Sequence, residues 1–350
     1  MYLGGWNMAT LTDELSGGFD WLSKCANYLK ECSTARLGEA WNMVFQPGKA
    51  QILRSKLGIS YVDGKDPYGD EYVGKDRLIR FPELLGREEN FWLLDNFRDS
   101  RVCLRKGERL PGGSIARRNE IEINWTSALI DVEKVISAKL YLLRDQKRLG
   151  PTSIPLGHVQ ILFEFEAGGL ITPEGPIEGF ISSYDSFRNE GEEWGILPGI
   201  LDTFEGVFVF SSFRDSLAKA LTAFSGVELY ELKLTRKQVR DLLTSSLELG
   251  TDRERVSARR YHTTRNSCTT NQVRLLNKVL SQKHRVQEWN QILGYPVSRT
   301  VDSILPVSLI EQLKRVGLIQ ADPYIRDGHP AIFSEYDRTR KGGSSILPRL

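Results

Sequence analysis

The chain has 350 residues, 40% of them hydrophobic, and sets 47 basic residues against 45 acidic ones for a formal net charge of +2. That length and core content suit a globular protein with room for two domains, and the near balance of charge argues against a dedicated nucleic-acid binder. Four cysteines without a disulfide framework point to free thiols. No window approaches 18 apolar residues, so no transmembrane helix is expected. Met1 to Glu14 lacks a charged segment followed by an apolar run. The expectation is therefore no signal peptide, and a cytoplasmic or assembly-associated location.

In chain order, Leu11 to Lys30 is predicted to be a helix, with Leu15, Phe19, Leu22, Ala26 and Leu29 on one side. Leu37 to Phe45 suggests a second, shorter one. Cys25 and Cys32 lie seven apart, which is neither a CxxC pair nor a finger. Residues 59–76 form a turn-rich acidic loop whose carboxylate spacing misses the calcium-loop pattern. Phe81–Leu85 and Phe91–Leu94 read as short buried pieces, and Gly112-Gly113 as a turn. Glu120 to Trp125 alternates as a strand, and Ile130 to Leu143 is strand-like. Arg144 to Pro155 reads as a charged connector flanked by proline. No phosphate-binding glycine loop and no zinc spacing occur, so neither a cofactor nor a metal is expected.

The segment from His158 to Glu166 alternates strictly, with Val159, Ile161, Phe163 and Phe165 on one face and Gln160, Leu162 and Glu164 on the other. This predicts a strand with a histidine at its entrance. Further strands are expected at 206–210 and 227–232, around a helix from Phe213 to Phe224. Then comes Tyr261-His-Thr-Thr-Arg-Asn-Ser-Cys268-Thr-Thr-Asn-Gln-Val. Val273, Leu276, Val279 and Leu280 recur at helical spacing, which predicts a helix over about 269–282. Asn266 and Ser267 are both good N-caps, so Cys268 falls in or beside the first turn. Unpaired N–H groups and the positive dipole end favour a thiolate there. Arg253, Arg255, Arg259, Arg260 and Arg265 are expected to add to that field. A catalytic pair needs base and nucleophile close in space, which a strand start facing a helix N-terminus can deliver. His262, six residues before Cys268, is a competing base.

The stretch from about His158 to Ile319 resembles the Lnb N-terminal domain family, related to circularly permuted papain-like and NlpC-type thiol enzymes. The residues carrying the resemblance are Gly157-His158 with its strand, Tyr230 to Leu243, and Tyr261 through Asn266-Ser-Cys268-Thr-Thr270. Ser267 stands between the asparagine and the cysteine, a departure from the family's Asn-Cys-Thr-Thr. The resemblance implies Cys268 as nucleophile, His158 as general base and later acid, and a third polar group that orients the imidazole. Closing a hairpin at Ala167-Gly168-Gly169 and continuing its register sets Glu178 opposite His158, which makes Glu178 the candidate orienter. Asn266 and Ser267 are the candidates for helix cap or oxyanion contact.

These readings give an α+β fold, an antiparallel sheet with a packed cysteine-bearing helix in permuted papain-like order, preceded by a mixed N-terminal region. The expected divisions are 1–130, a thiol domain over 131–325, and an extended tail over 326–350. The expected activity is cysteine-dependent acyl transfer, as hydrolase or acyltransferase. The substrate would be an acyl-containing lipid, peptide or lipoprotein, and residues 1–130 would offer a surface to a protein partner. The alternative is a catalytically silent interaction protein built on a thiol-enzyme fold.

Overall fold

The computed structural model describes residues 80–104, 120–149, 152–177, 179–187, 204–223, 226–257, 260–263, 265–286 and 306–320, with short pieces at 72–73, 76–77, 109, 199, 289–292, 295–298 and 323. The strands are β1 (Tyr72–Val73), β2 (Asp76–Arg77), β3 (Glu83–Glu88), β4 (Phe91–Arg98), β5 (Arg101–Leu104), β6 (Glu120–Glu122), β7 (Trp125–Asp131) and β8 (Val135–Leu149). They continue as β9 (Thr152–Phe165), β10 (Leu170–Thr172), β11 (Gly175–Pro176), β12 (Gly179–Phe187), β13 (Glu205–Ser212), β14 (Gly226–Glu231), β15 (Trp289–Ile292) and β16 (Tyr295–Ser298). The helices are α1 (Phe213–Ala223), α2 (Arg236–Thr251), α3 (Arg253–Ser257), α4 (Cys268–Val279) and α5 (Pro306–Arg315).

Among the described residues the architecture is mixed α/β around one ten-stranded sheet, in the order β11-β10-β7-β4-β13-β12-β9-β8-β14 with β3 added on β4. Its pairings are antiparallel except where β13 meets β4 at Ser211 and Arg98. The alternation in β9 decides the layers, because successive side chains on a strand face opposite sides. Val159, Ile161, Phe163 and Phe165 share a core with Val273, Leu275 and Leu276 of α4 and Leu242, Leu243 and Leu247 of α2. Leu162 and Ile181, on the other face, pack with Phe213, Leu217 and Ala218 of α1. Helix α2 starts on a capping box, in which Thr235 and Gln238 each satisfy the other's backbone N–H. It lies close on the sheet because Gly250 has no side chain: a Cβ there would come within 2.2 Å of the Phe210 ring.

Two features of this sheet place the site. First, β8 and β9 form a long hairpin, paired from Val135 with Phe165 to Leu149 with Thr152. Residues 144–155, expected as a connector, are therefore mostly strand. Second, β12 pairs with β9 only from Gly179 opposite Glu164 to Ser183 opposite Gln160, while it continues along β13 as far as Phe187. Beyond Ser183 the strands β9 and β12 part, and His158 lies just past the fork.

Other expectations need correction. Ile130 to Leu143 is not one element: β7 ends at Asp131, whose side chain caps a 3-10 turn over Val132–Lys134, and β8 follows. β7 and β8 belong to one sheet and share one core, so position 130 lies inside that sheet. Phe91–Leu94 is buried only at Trp92 and Leu94, whereas Phe91 and Leu93 are exposed on the other face; Leu84 and Leu85 of β3 are exposed as well. The predicted helices over 11–30 and 37–45 and the tail from 326 lie outside the described residues.

Candidate active site

Cys268 is the first residue of α4, and the sequence around it fixes how the helix begins. Ser267, extended at φ −107° and ψ 175°, is the N-cap, and its hydroxyl accepts from the Thr270 N–H while the Thr270 hydroxyl accepts from the Ser267 N–H. This reciprocal box ties down the first turn and presents the thiol at the helix end. Asn266 is not the cap. Its amide donates to the Tyr184 hydroxyl at 2.6 Å and to the Arg260 carbonyl at 3.0 Å, and its oxygen accepts from Asn271. With both donors directed into the protein, Asn266 is a brace for the loop and not a donor aimed at the thiol.

The fork between β9 and β12 receives this helix end. The sulfur of Cys268 is hydrogen-bonded to the His158 ring, to the backbone N–H of Val159, and to the Thr269 hydroxyl. The hydroxyl of Tyr261, buried and stacked on Tyr184 with centroids 6.1 Å apart, also reaches the sulfur. Burial pushes the Cys268 thiol up, but the positive His158 ring and these donors outweigh it, so the thiol sits below its ordinary range. The countercharge is the imidazole, not the arginine-rich segment: Arg260 pairs with Glu205 at 3.2 Å, and Arg253 lies over the Phe81 ring.

His158 is held from its other side by β12. Its Nε2 lies 2.8 Å from Asp185 Oδ1 and 2.7 Å from Ser183 Oγ. Burial lowers the imidazole pKa, but the charges of Asp185 and Cys268 and the hydrogen bonds to both raise it further, to about 9. The structure thus brings together Cys268 and His158, the two residues singled out from sequence, and adds Asp185, Ser183 and Tyr261 around them. Asp185 was missed because its position depends on which strand pairs with β9. The expected register assumed that the chain after Gly168-Gly169 folds straight back on β9. Instead Leu170 and Ile171 pair with β7, and β12 is the partner, with Gly179 opposite Glu164 at the far end from His158. Glu178 itself lies outside the described residues. The period-2 spacing of Ser183 and Asp185 was the available signal.

His262 is placed elsewhere. It is buried in the loop before α4, where its backbone bridges to Asn266. Desolvation, helped by Arg265, lowers its ring to about 4, so it stays neutral. Among the described residues no group of three or more His, Cys, Asp or Glu is arranged to hold a metal, and no helix is long and apolar enough to cross a membrane.

With this geometry in place, residues 150–314 match the Lnb N-terminal periplasmic domain family. The match covers the histidine strand, the fork and the cysteine helix. It corrects the location expected from the N-terminal sequence: the matched family is a periplasmic domain, which conflicts with a cytoplasmic one. Neither a curated protein nor a solved structure matches the chain.

Proposed function

We propose that the protein catalyses cysteine-dependent acyl transfer through a thioester on Cys268, on a fold with the permuted papain-like order in which the histidine strand precedes the cysteine helix. The observation that carries this reading is the line Asp185, His158, Cys268: a buried carboxylate 2.8 Å from the imidazole, which in turn contacts a thiol of lowered pKa. The lowered thiol pKa and the raised imidazole pKa both favour the thiolate–imidazolium form, the ionised nucleophile that this reaction uses. The sulfur attacks the acyl carbonyl carbon, and the carbonyl electrons move onto oxygen. The backbone N–H of Cys268 at the helix end and the Tyr261 hydroxyl are the donors for that oxyanion. Collapse breaks the bond to the leaving amine or alcohol, which takes the proton from His158. In the second half, neutral His158 removes a proton from water or another acceptor, which attacks the thioester and releases the thiolate. With Nε2 bound to Asp185, Nδ1 is the nitrogen left to exchange this proton.

Asp185 takes the orienting role. The test is acylation of Cys268 by an activated acyl ester, read by intact and peptide mass spectrometry. The reading expects one acyl group on Cys268, lost in Cys268→Ala and slowed in His158→Ala. Absence of the adduct, together with unchanged Cys268 alkylation in His158→Ala, would leave the silent interaction protein as the better description.

A further inference from the structure

We infer that Ser183 and Gln160 are positioning residues for this reaction, forming with Ser216 a hydrogen-bonded relay from α1 that holds the Asp185 carboxylate against His158. The inference rests on the acyl-transfer reading above and concerns the face of the sheet opposite the cysteine helix.

His158 and Gln160 point to the same side of β9 as Leu162, the side covered by α1. From α1, the Ser216 hydroxyl donates to Gln160 Oε1 at 2.7 Å. This orients the amide so that its NH2 faces Ser183, to which it donates at 3.2 Å. A hydroxyl has one proton and two lone pairs. The carboxylate of Asp185 can only accept, so the Ser183 proton goes to Asp185 Oδ1. One lone pair of Ser183 is taken by Gln160, and the other accepts from the Nε2–H of His158, a proton that Ser183 shares with Asp185 Oδ1. Every hydrogen-bonding capacity of Ser183 is thus used, and each bond has a fixed direction. Gln160 and Ser183 are 2% and 1% exposed, so water does not replace a lost partner. The result is a carboxylate aimed at the ring, whose charge raises the pKa of the imidazole beside the sulfur.

Ionisable groups facing His158 are Asp185 from β12 and Cys268 from α4, with Tyr261 acting through the sulfur. From β8 the paired residue is Leu143, which is apolar. A relay that merely filled space would affect thermal stability alone. A positioning relay also moves the titration of His158.

The experiment uses the full chain with labelled histidine. The His158 midpoint is followed by NMR, and the Cys268 alkylation rate near neutral pH by peptide mass spectrometry. Ser183→Ala is expected to lower the His158 midpoint by about one pH unit, the size of one hydrogen bond to a charged group. Cys268 alkylation should slow by up to about tenfold, and Ser183→Thr should restore both. Gln160→Met should give a smaller loss that disappears when Ser183 is already alanine, because the two act in series. An unchanged His158 midpoint in Ser183→Ala, or a Gln160→Met effect that persists undiminished beside it, overturns the relay. If Ser183→Ala does not fold, Ser216→Ala at the far end is read the same way: a lowered midpoint supports the relay and an unchanged one overturns it. His158→Ala is run in parallel. If it leaves Cys268 alkylation unchanged, acyl transfer itself fails. If it slows alkylation while Ser183→Ala does nothing, only the relay fails.

Discussion

Two places in this sheet bury charge where neighbouring strands part, and they do opposite things with it. At the junction of β4 and β13, Arg98 binds Asp215 of α1 through two guanidinium nitrogens, at 2.9 Å each, and Arg214 pairs with Asp99, which also accepts from Ser212. Each carboxylate meets a guanidinium that stays protonated at any ordinary pH. The cluster pairs each carboxylate with a guanidinium and holds α1 where β4 meets β13 in the middle of the sheet. At the fork of β9 and β12, the carboxylate of Asp185 meets a histidine, a cation that can lose its proton, and the histidine meets a thiol. On the acyl-transfer proposal, the same burial that locks the first cluster would make the second one reactive, because its countercharge is itself a base. Permanent partners give structure, and titratable partners give chemistry.

The largest effect expected is loss of the fold when the junction is removed whole. A chain begun at residue 131 lacks Arg98 and Asp99, leaves Asp215 and Arg214 without those partners, and deletes Trp92, Leu94, Phe97 and Ile130 from the core. Circular dichroism should show no cooperative unfolding; a stable, cooperatively melting fragment would show that the junction is dispensable. Next comes the fork: His158→Ala should reduce acyl transfer by about 10²–10⁴-fold, the usual range for loss of a general acid–base, with little change in melting. Arg98→Met should do the reverse. It leaves Asp215 unpaired in the core and should cost about 3–5 kcal/mol in urea unfolding, while Cys268 alkylation per folded molecule stays at the wild-type rate.

A smaller effect is expected at Gly206, where a Cβ would come within 1.9 Å of the Tyr184 hydroxyl. Gly206→Ala should cost about 1–3 kcal/mol by overpacking, and should also slow Cys268 alkylation, because Tyr184 braces Asn266 beside the thiol. A stability loss with unchanged alkylation would separate the brace from the site. The smallest is a pH effect of opposite sign at two histidines. His262 titrates near 6.5 when unfolded but near 4 when folded, so the unfolded chain binds more protons between those values. Stability is full above 6.5 and falls as the pH drops toward 4, by about 1 kcal/mol over the first unit, and His262→Gln should flatten this slope. His158, raised to about 9, adds stability that is complete below 6.5 and lost as the pH rises through 9. The two slopes are separated by measuring unfolding from pH 4 to 10 in each variant.

Much of the local structure was legible. The alternation of Val159, Ile161, Phe163 and Phe165 predicted the histidine strand, and the Val273, Leu276, Val279 spacing predicted a helix that runs over Cys268–Val279. Ser267 was one of two caps proposed, and the choice between it and Asn266 could not be made locally. Both are good caps by type, and what removes Asn266 is Tyr184, 82 residues away in sequence. The arginines before Cys268 suggested a basic field, but the charge of Arg260 turns to Glu205 and that of Arg253 to the Phe81 ring, partners that no local pattern announces.

The sequence by itself determined the periodic elements, the helix start that presents Cys268, and the presence of a histidine on a strand upstream, because these depend on residues within a few positions of one another. Tertiary structure alone decided that the strand after the Gly168-Gly169 turn joins β7, that β12 pairs with β9 in a register bringing Asp185 to His158, and that the pairing stops at Gln160 and Ser183, just short of His158. The physical reason is that a strand's backbone hydrogen bonds accept any neighbour. The choice is made by which neighbour buries Phe163 with Phe180 on one face and Leu162 with Ile181 on the other, and that is a property of the whole core.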